Sequence, residues 1–240
     1  MGVTNVQSGT RIDEVAEAIY RISTPVSEVP GGFSFNQYLL VDDQPLLFHT
    51  GPRRMHLLVQ EAISSVLDVK DLQFIGFSHY ESDECGSLAE FLSLAPNAVP
   101  VCSQVNAMIN GDCFGKPARV LTDGETLSLG SHRLRWFDTP HLPHAWECGY
   151  LMEESTCTLL CGDLFTQGGA NLPPVTSSDI LESSEAFRKQ MDYYSHTKNV
   201  HSLMAPLAAA KPTTLACMHG SAWQGDGGLL LIALAESLDA

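Results

Sequence analysis

Residues 74–88 read FIGFSHYESDECGSL, and this stretch decides how the chain is interpreted. An apolar run stops abruptly at a cluster of potential metal ligands: His79, Glu81, Asp83 and Glu84 fall within six positions. A solvated turn, a hydrolytic zinc site and an iron site all use such residues. What surrounds the stretch has to separate them.

Residues 72–78, LQFIGFS, form a continuous apolar run, as expected for a strand buried on both faces. The pattern after it predicts a helix over 83–94 and a strand at 98–103 (AVPVCS). Upstream, a polar, loose start leads to a first strand within 14–24. Residues 34–51 then read as a hairpin turning near Asp42 and Asp43 and closing at Gly51, and 53–67 as a crossover helix. Downstream, residues 118–140 hold two or three strands with turns at Asp123-Gly124 and Gly130-Ser131. Residues 148–165 form another hairpin turning around Glu154-Ser155. From residue 178 onward two helices precede a last strand at 213–218. This order predicts an α/β fold with two sheets, helices outside and strand ends gathered on one rim.

Composition narrows the function. The 240 residues suit one sizeable domain, 1–240, and 44% apolar with 17% charged residues describes an ordinary globular chain. A net charge of −15 argues against nucleic acid or an anionic membrane as partner. The polar N-terminus shows no secretory h-region and misses the myristoylation pattern at Val6. The run at 227–238, GGLLLIALAESL, is too short to span a bilayer and reads as a buried helix, so a cytoplasmic protein is expected. Seven dispersed cysteines without a CxxC pair argue for reduced core thiols and against a structural zinc or four-cysteine iron site.

Four places share one form: an apolar strand ends, and a His or Asp follows. They are FIGFS before His79, RWFDTP before His141, LLCG before Asp163 and LACM before His219. Residues at neighbouring strand ends converge in space although they lie far apart in sequence. His144, three positions after His141, is an alternative ligand or a donor beside an open coordination position. His141 is preferred because it directly follows its strand. Tyr80 and Trp146 read as pocket wall or core, with Tyr80 a further candidate beside the metals. His49, His56, His132, His196 and His201 read as surface or satisfied core histidines.

This order of ligands resembles the metallo-β-lactamase superfamily, a four-layer αβ/βα sandwich whose hydrolases carry HxHxDH followed by separate His, Asp and His ligands. Here the first motif is His79-Tyr80-Glu81-Ser82-Asp83-Glu84. Glu81 in place of the second His is similar to the flavodiiron branch and its flavodoxin-less, oxygen-binding relatives, which carry HxExDH. The segment after His141, Leu-Pro, is similar to that family's HWP. The resemblance implies one iron held by His79, Glu81 and His141, and a second by Asp83, residue 84 and His219, with Asp163 bridging. The chain departs from the family at Glu84, which stands where His is usual and either ligates as a further carboxylate or turns outward.

The proposed donors comprise four carboxylates and three imidazoles. Such oxygen-rich sets suit iron or manganese better than zinc. Exchanging His for carboxylate also adds negative charge, which stabilises Fe(III) over Fe(II) and favours electron donation. The resemblance thus implies a non-haem diiron protein that binds, senses or reduces O2, or NO. No FMN-cradling loop is recognisable, so an external electron donor or signalling partner is expected, with a homodimer as in the family. The alternative is a dinuclear zinc hydrolase of the same fold, in which metal-bound hydroxide attacks the substrate. A scaffold that binds partners and no metal is a third reading.

Overall fold

The structure, a computed structural model describing residues 2–239, sorts the strands into two sheets. The first contains, in spatial as well as chain order, β1 (Gly2–Asn5), β2 (Thr10–Ala16), β3 (Ile19–Val26), β4 (Phe33–Leu40), β5 (Leu46–Phe48), β6 (Phe74–Gly76), β7 (Val99–Ser103) and β8 (Arg119–Leu121). Strands β1 to β5 form an antiparallel meander, whereas β5 to β8 pair in parallel. Parallel neighbours need crossovers. These carry α1 (His56–Ser64), α2 (Ser82–Cys85), α3 (Leu88–Leu94) and α4 (Gln104–Asn110).

The second sheet comprises β9 (Thr126–Ser128), β10 (Arg133–Asp138), β11 (Gly149–Glu153), β12 (Thr158–Leu160), β13 (Val175–Thr176), β14 (Thr214–Ala216) and β15 (Ala222–Gln224), in the order β13-β15-β14-β12-β11-β10-β9. Helices α5 (Leu181–Met191) and α6 (Val200–Ala209) connect β13 to β14, and α7 (Gly227–Leu238) follows β15.

Side-chain alternation assigns the layers. Leu39, Leu47 and Ile75 pack outward with Val59 and Ile63 of α1 and Phe91 of α3. Their chain neighbours Tyr38, Leu40, Leu46, Phe48 and Phe74 face inward, meeting Trp136, Leu151, Leu160 and Ala216 from the second sheet. On the far side, Tyr150, Met152, Leu159 and Leu215 pack against Met204 and Leu207 of α6 and Leu231 and Leu234 of α7. Burying each large side chain contributes roughly 1.5–3 kcal/mol, so three apolar layers hold four layers of secondary structure in order. This is the αβ/βα sandwich expected from the sequence.

Three details differ from the sequence reading. The polar start pairs as β1 and β2, because Thr10, Ile12 and Val15 supply buried faces within an otherwise polar run. The helix expected over 83–94 is interrupted. A Cβ at Gly86 would lie 2.2 Å from the Ser82 carbonyl oxygen and 2.8 Å from the Arg53 nitrogen, so the chain bends there over the 50–53 loop. The helix read as buried at 227–238 leaves Leu229 and Ile232 exposed. Among the described residues no helix is long and apolar enough to cross a membrane.

Candidate metal centre

Strands β6, β12 and β14 end on one rim, and the residues after each turn into a shared pocket. His79 is fully buried, and its Nε2 is the hub. It lies 3.0 Å from His144 Nε2, 3.6 Å from Asp163 Oδ2, 3.7 Å from Glu84 Oε1 and 3.9 Å from Glu81 Oε1. His144 Nε2 is 3.2 Å from Glu81 Oε1 and 3.6 Å from Asp163 Oδ2. The other oxygen of Asp163, Oδ1, is 3.3 Å from His219 Nε2, which is 3.7 Å from Asp83 Oδ2. Two groups, His79–His144–Asp163 and His79–Glu81–Glu84, each bring three donor atoms within 4.8 Å of one another, a spacing that could hold a cation.

His141 is not among them. The chain reverses after buried Thr139, and the His141 N–H donates to the Ala145 carbonyl. Its own carbonyl accepts from the Ser195 hydroxyl. Its side chain faces solvent at a φ of 65°, and the returning strand of the loop brings His144 to the pocket instead. The preference for His141 over His144 is therefore corrected. Both residues were visible as candidates, but the path of a ten-residue loop was not. Tyr80 also stays out of the cluster. Its ring packs on Phe77 and Phe114, and burial, then Cys113, pushes its hydroxyl up to about 12.

Glu84 turns inward, not outward. Its side chain is fully buried, and neither carboxylate oxygen has a hydrogen-bond partner. Burial, then the neighbouring Asp163 and Asp83, pushes its carboxyl well above the usual range. Asp163 moves the other way. Burial alone would raise it, but the imidazoles of His219, His79 and His144 hold it ionised far below the ordinary value. Burial lowers His79, whereas for His144 and His219 the carboxylates around them outweigh burial and raise the imidazoles. An unpartnered buried carboxylate beside three others is electrostatically unfavourable unless cations fill the pocket. The donor set fits metal.

The supports are equally specific. His219 Nδ1 lies 2.9 Å from the Ser34 carbonyl, to which only an N–H can donate, so Nδ1 keeps its proton and Nε2 is the nitrogen turned toward Asp163 and Asp83. Phe33 stacks on the same ring at 4.3 Å, with Phe35 edge-on. Gly220 has a φ of 89°, and a Cβ there would lie 2.6 Å from Gln167 Cβ, so glycine is required for the turn carrying His219. The sequence reading missed Tyr193, whose hydroxyl donates to the Asp163 carbonyl at 3.1 Å. It also missed His49, which is buried behind His79. Only its place at the end of an apolar strand, the feature shared by the other ligands, could have flagged it.

A two-sheet sandwich with His, Asp and Glu side chains gathered at strand ends defines a metallo-β-lactamase-like fold. Comparison with known proteins bears this out. The chain matches the ODP family beta lactamase over residues 33–220, and it belongs to that family. It is 26% identical over 231 residues to a nitric oxide reductase from Moorella thermoacetica, covering 88% of this chain and 55% of the relative. It is also 26% identical over 175 residues to the rubredoxin-oxygen oxidoreductase of Megalodesulfovibrio gigas, covering 71% of this chain and 42% of the relative. The chain thus spans about half the length of these curated relatives. The crystal structure of the Giardia intestinalis flavodiiron protein superposes with a TM-score of 0.82 at 18% identity, over 95% of this chain and 59% of that one. A 1–254 fragment of a diflavin flavoprotein from Nostoc gives 0.83 at 17% identity, over 96% and 95% of the two chains.

Proposed function

We propose that this chain is the diiron core of an oxidoreductase-type protein that binds or reduces O2 or NO with electrons from a redox donor. Residues 1–240 are taken as one metallo-β-lactamase-like domain. His79, Glu81 and His144 would hold one iron, and Asp83 and His219 the other. Asp163 would bridge them, and Glu84 would add its carboxylate from the floor of the pocket. The observation that carries the reading is the two-sided placement of Asp163, one oxygen toward His79 and His144 and the other toward His219. The names of the Moorella and Megalodesulfovibrio relatives support the redox class without choosing between NO and O2.

Two bound irons would supply the redox chemistry for binding or reducing a diatomic ligand. The chain's own residues set the conditions. His219 is locked with Nε2 inward, and Phe33 and Phe35 shield that ring from water. The four carboxylates favour the oxidised metal. Glu81, Asp83 and His144 are the partly accessible members of the set, so the diatomic ligand and any proton would enter across them. Glu81 in place of a second histidine, joined by the buried Glu84, weighs against the dinuclear zinc hydrolase.

The test is optical. Fe(II) is loaded anaerobically and O2 or NO is then admitted. A new charge-transfer absorption band with two irons per chain is the expected result. Zinc retained against iron, with no spectral response to either gas, would promote the hydrolase instead.

A further inference from the structure

Behind His79 lies a second imidazole that the proposed ligand set does not use. His49 directly follows β5, is 1% exposed, and has a φ of 64°, in the left-handed region that a non-glycine residue rarely occupies. Such a conformation persists only where the surroundings enforce it. Here the His49 N–H donates to the Gly76 carbonyl at 2.8 Å and the ring stacks on Phe48 at 4.3 Å.

The hydrogen bonds at the ring fix the protons. The Ser78 backbone N–H donates to His49 Nε2 at 3.2 Å, so that nitrogen carries a lone pair and His49, if neutral, has its proton on Nδ1. Ser78 Oγ is 3.0 Å from the same nitrogen, and between a hydroxyl and a bare nitrogen the hydroxyl must donate. With its only proton committed, Ser78 Oγ can only accept from its other neighbour, His79 Nδ1, at 2.9 Å. His79 therefore carries its proton on Nδ1 and turns a bare Nε2 toward His144, Asp163, Glu81 and Glu84.

We infer that His49 is a positioning residue that, through Ser78, holds His79 in the metal-ready tautomer and orientation. The metal part of this inference rests on the diiron reading; the tautomer part does not. A free imidazole favours the Nε2–H form, so the relay predicts something an isolated histidine would not show. Indirect partners of this kind are worth roughly 10- to 100-fold in metal affinity.

The experiment has two arms. Long-range 1H–15N NMR on the metal-free, 15N-labelled protein should find the proton on Nδ1 of both His79 and His49, and an Nε2–H form of His79 would overturn the relay. In the second arm Fe(II) affinity is measured anaerobically by competition with a chromogenic chelator. Loss of about 10- to 100-fold is expected in His49→Leu and in Ser78→Ala, the latter removing one buried hydroxyl from an otherwise unchanged chain. His49→Gln, whose amide oxygen can accept the Ser78 hydrogen bonds, should retain most of the affinity. Unchanged affinity in both His49→Leu and Ser78→Ala would overturn the proposal while leaving the diiron site standing. A wild-type protein that binds no Fe(II) would sink the diiron reading, and the NMR arm would still decide the relay.

Discussion

Two glutamates in this molecule are completely buried, and they could hardly be treated more differently. Glu153, at the end of β11, accepts from the Ser155 N–H and hydroxyl at 3.0 and 2.6 Å and from the Thr156 N–H and hydroxyl at 2.7 and 2.6 Å. His132 Nδ1 lies 3.1 Å away. Burial would raise this carboxyl, but the Ser155 and Thr156 hydrogen bonds overcome it and hold the group at about 2. Glu84 is equally inaccessible to solvent, and no N–H or hydroxyl group donates to either of its oxygens. The first is a closed structural lock on a hairpin; the second is a carboxyl forced toward its neutral form until a cation compensates it. Burial of a charged group is therefore no guide to its role, whereas the fate of its lone pairs is.

The sharpest way to break this contrast is to neutralise each group in the metal-free protein. Glu153→Gln should lower the unfolding free energy by about 3 kcal/mol, because an amide turns a donor toward hydroxyl and N–H groups that need an acceptor. Glu84→Gln should cost little or nothing, since it replaces a carboxyl already driven toward its neutral form by burial, Asp163 and Asp83. Chemical denaturation of both variants checks the pair, and equal losses would erase the distinction.

The pH dependence carries the same sign argument. Glu153 sits at about 2 when folded against an ordinary 4.5. Its contribution is therefore fully present above about pH 4.5 and is lost as pH falls toward 2, amounting to about 3 kcal/mol at 1.36 kcal/mol per unit. Glu153→Gln should flatten the acid limb of the stability profile across that window, and a limb of unchanged slope would contradict the lock.

Metal should act on the other glutamate. Fe(II) at one hundred times its dissociation constant should stabilise the wild type by about 2.7 kcal/mol. Glu153→Gln should gain as much, whereas Glu84→Gln should gain less, as read from anaerobic thermal melts. A smaller effect separates the two loop histidines. His144→Ala should weaken metal binding by about 2 kcal/mol, whereas His141→Ala, at an exposed position, should change stability and affinity by no more than about 0.5 kcal/mol. The reverse ranking would restore His141 to the site.

Much of this was legible in the sequence, and the reasons are physical. Apolar strands that stop at a His or Asp mark residues which the chain carries to a sheet rim, so His79, Asp163 and His219 could be read directly. The layered fold followed from the alternation of strands and crossovers. His144 could not be chosen over His141, because the choice depends on a loop reversal set by contacts with Ala145 and Ser195. The inward turn of Glu84 depends on the bend at Gly86 and on the 50–53 loop packed there, a contact between segments far apart in sequence. His49 looked like any core histidine, since nothing local reveals that Ser78 links it to His79.

The central claim is that one carboxylate, Asp163, joins two metal positions. The most direct test is to load the anaerobic protein with Fe(II), count the metal per chain, and record its magnetic coupling by Mössbauer spectroscopy in an applied field. The account predicts two coupled irons per chain, with the coupling lost in Asp163→Asn. A single iron, or two that do not sense each other in the wild-type protein, would contradict it.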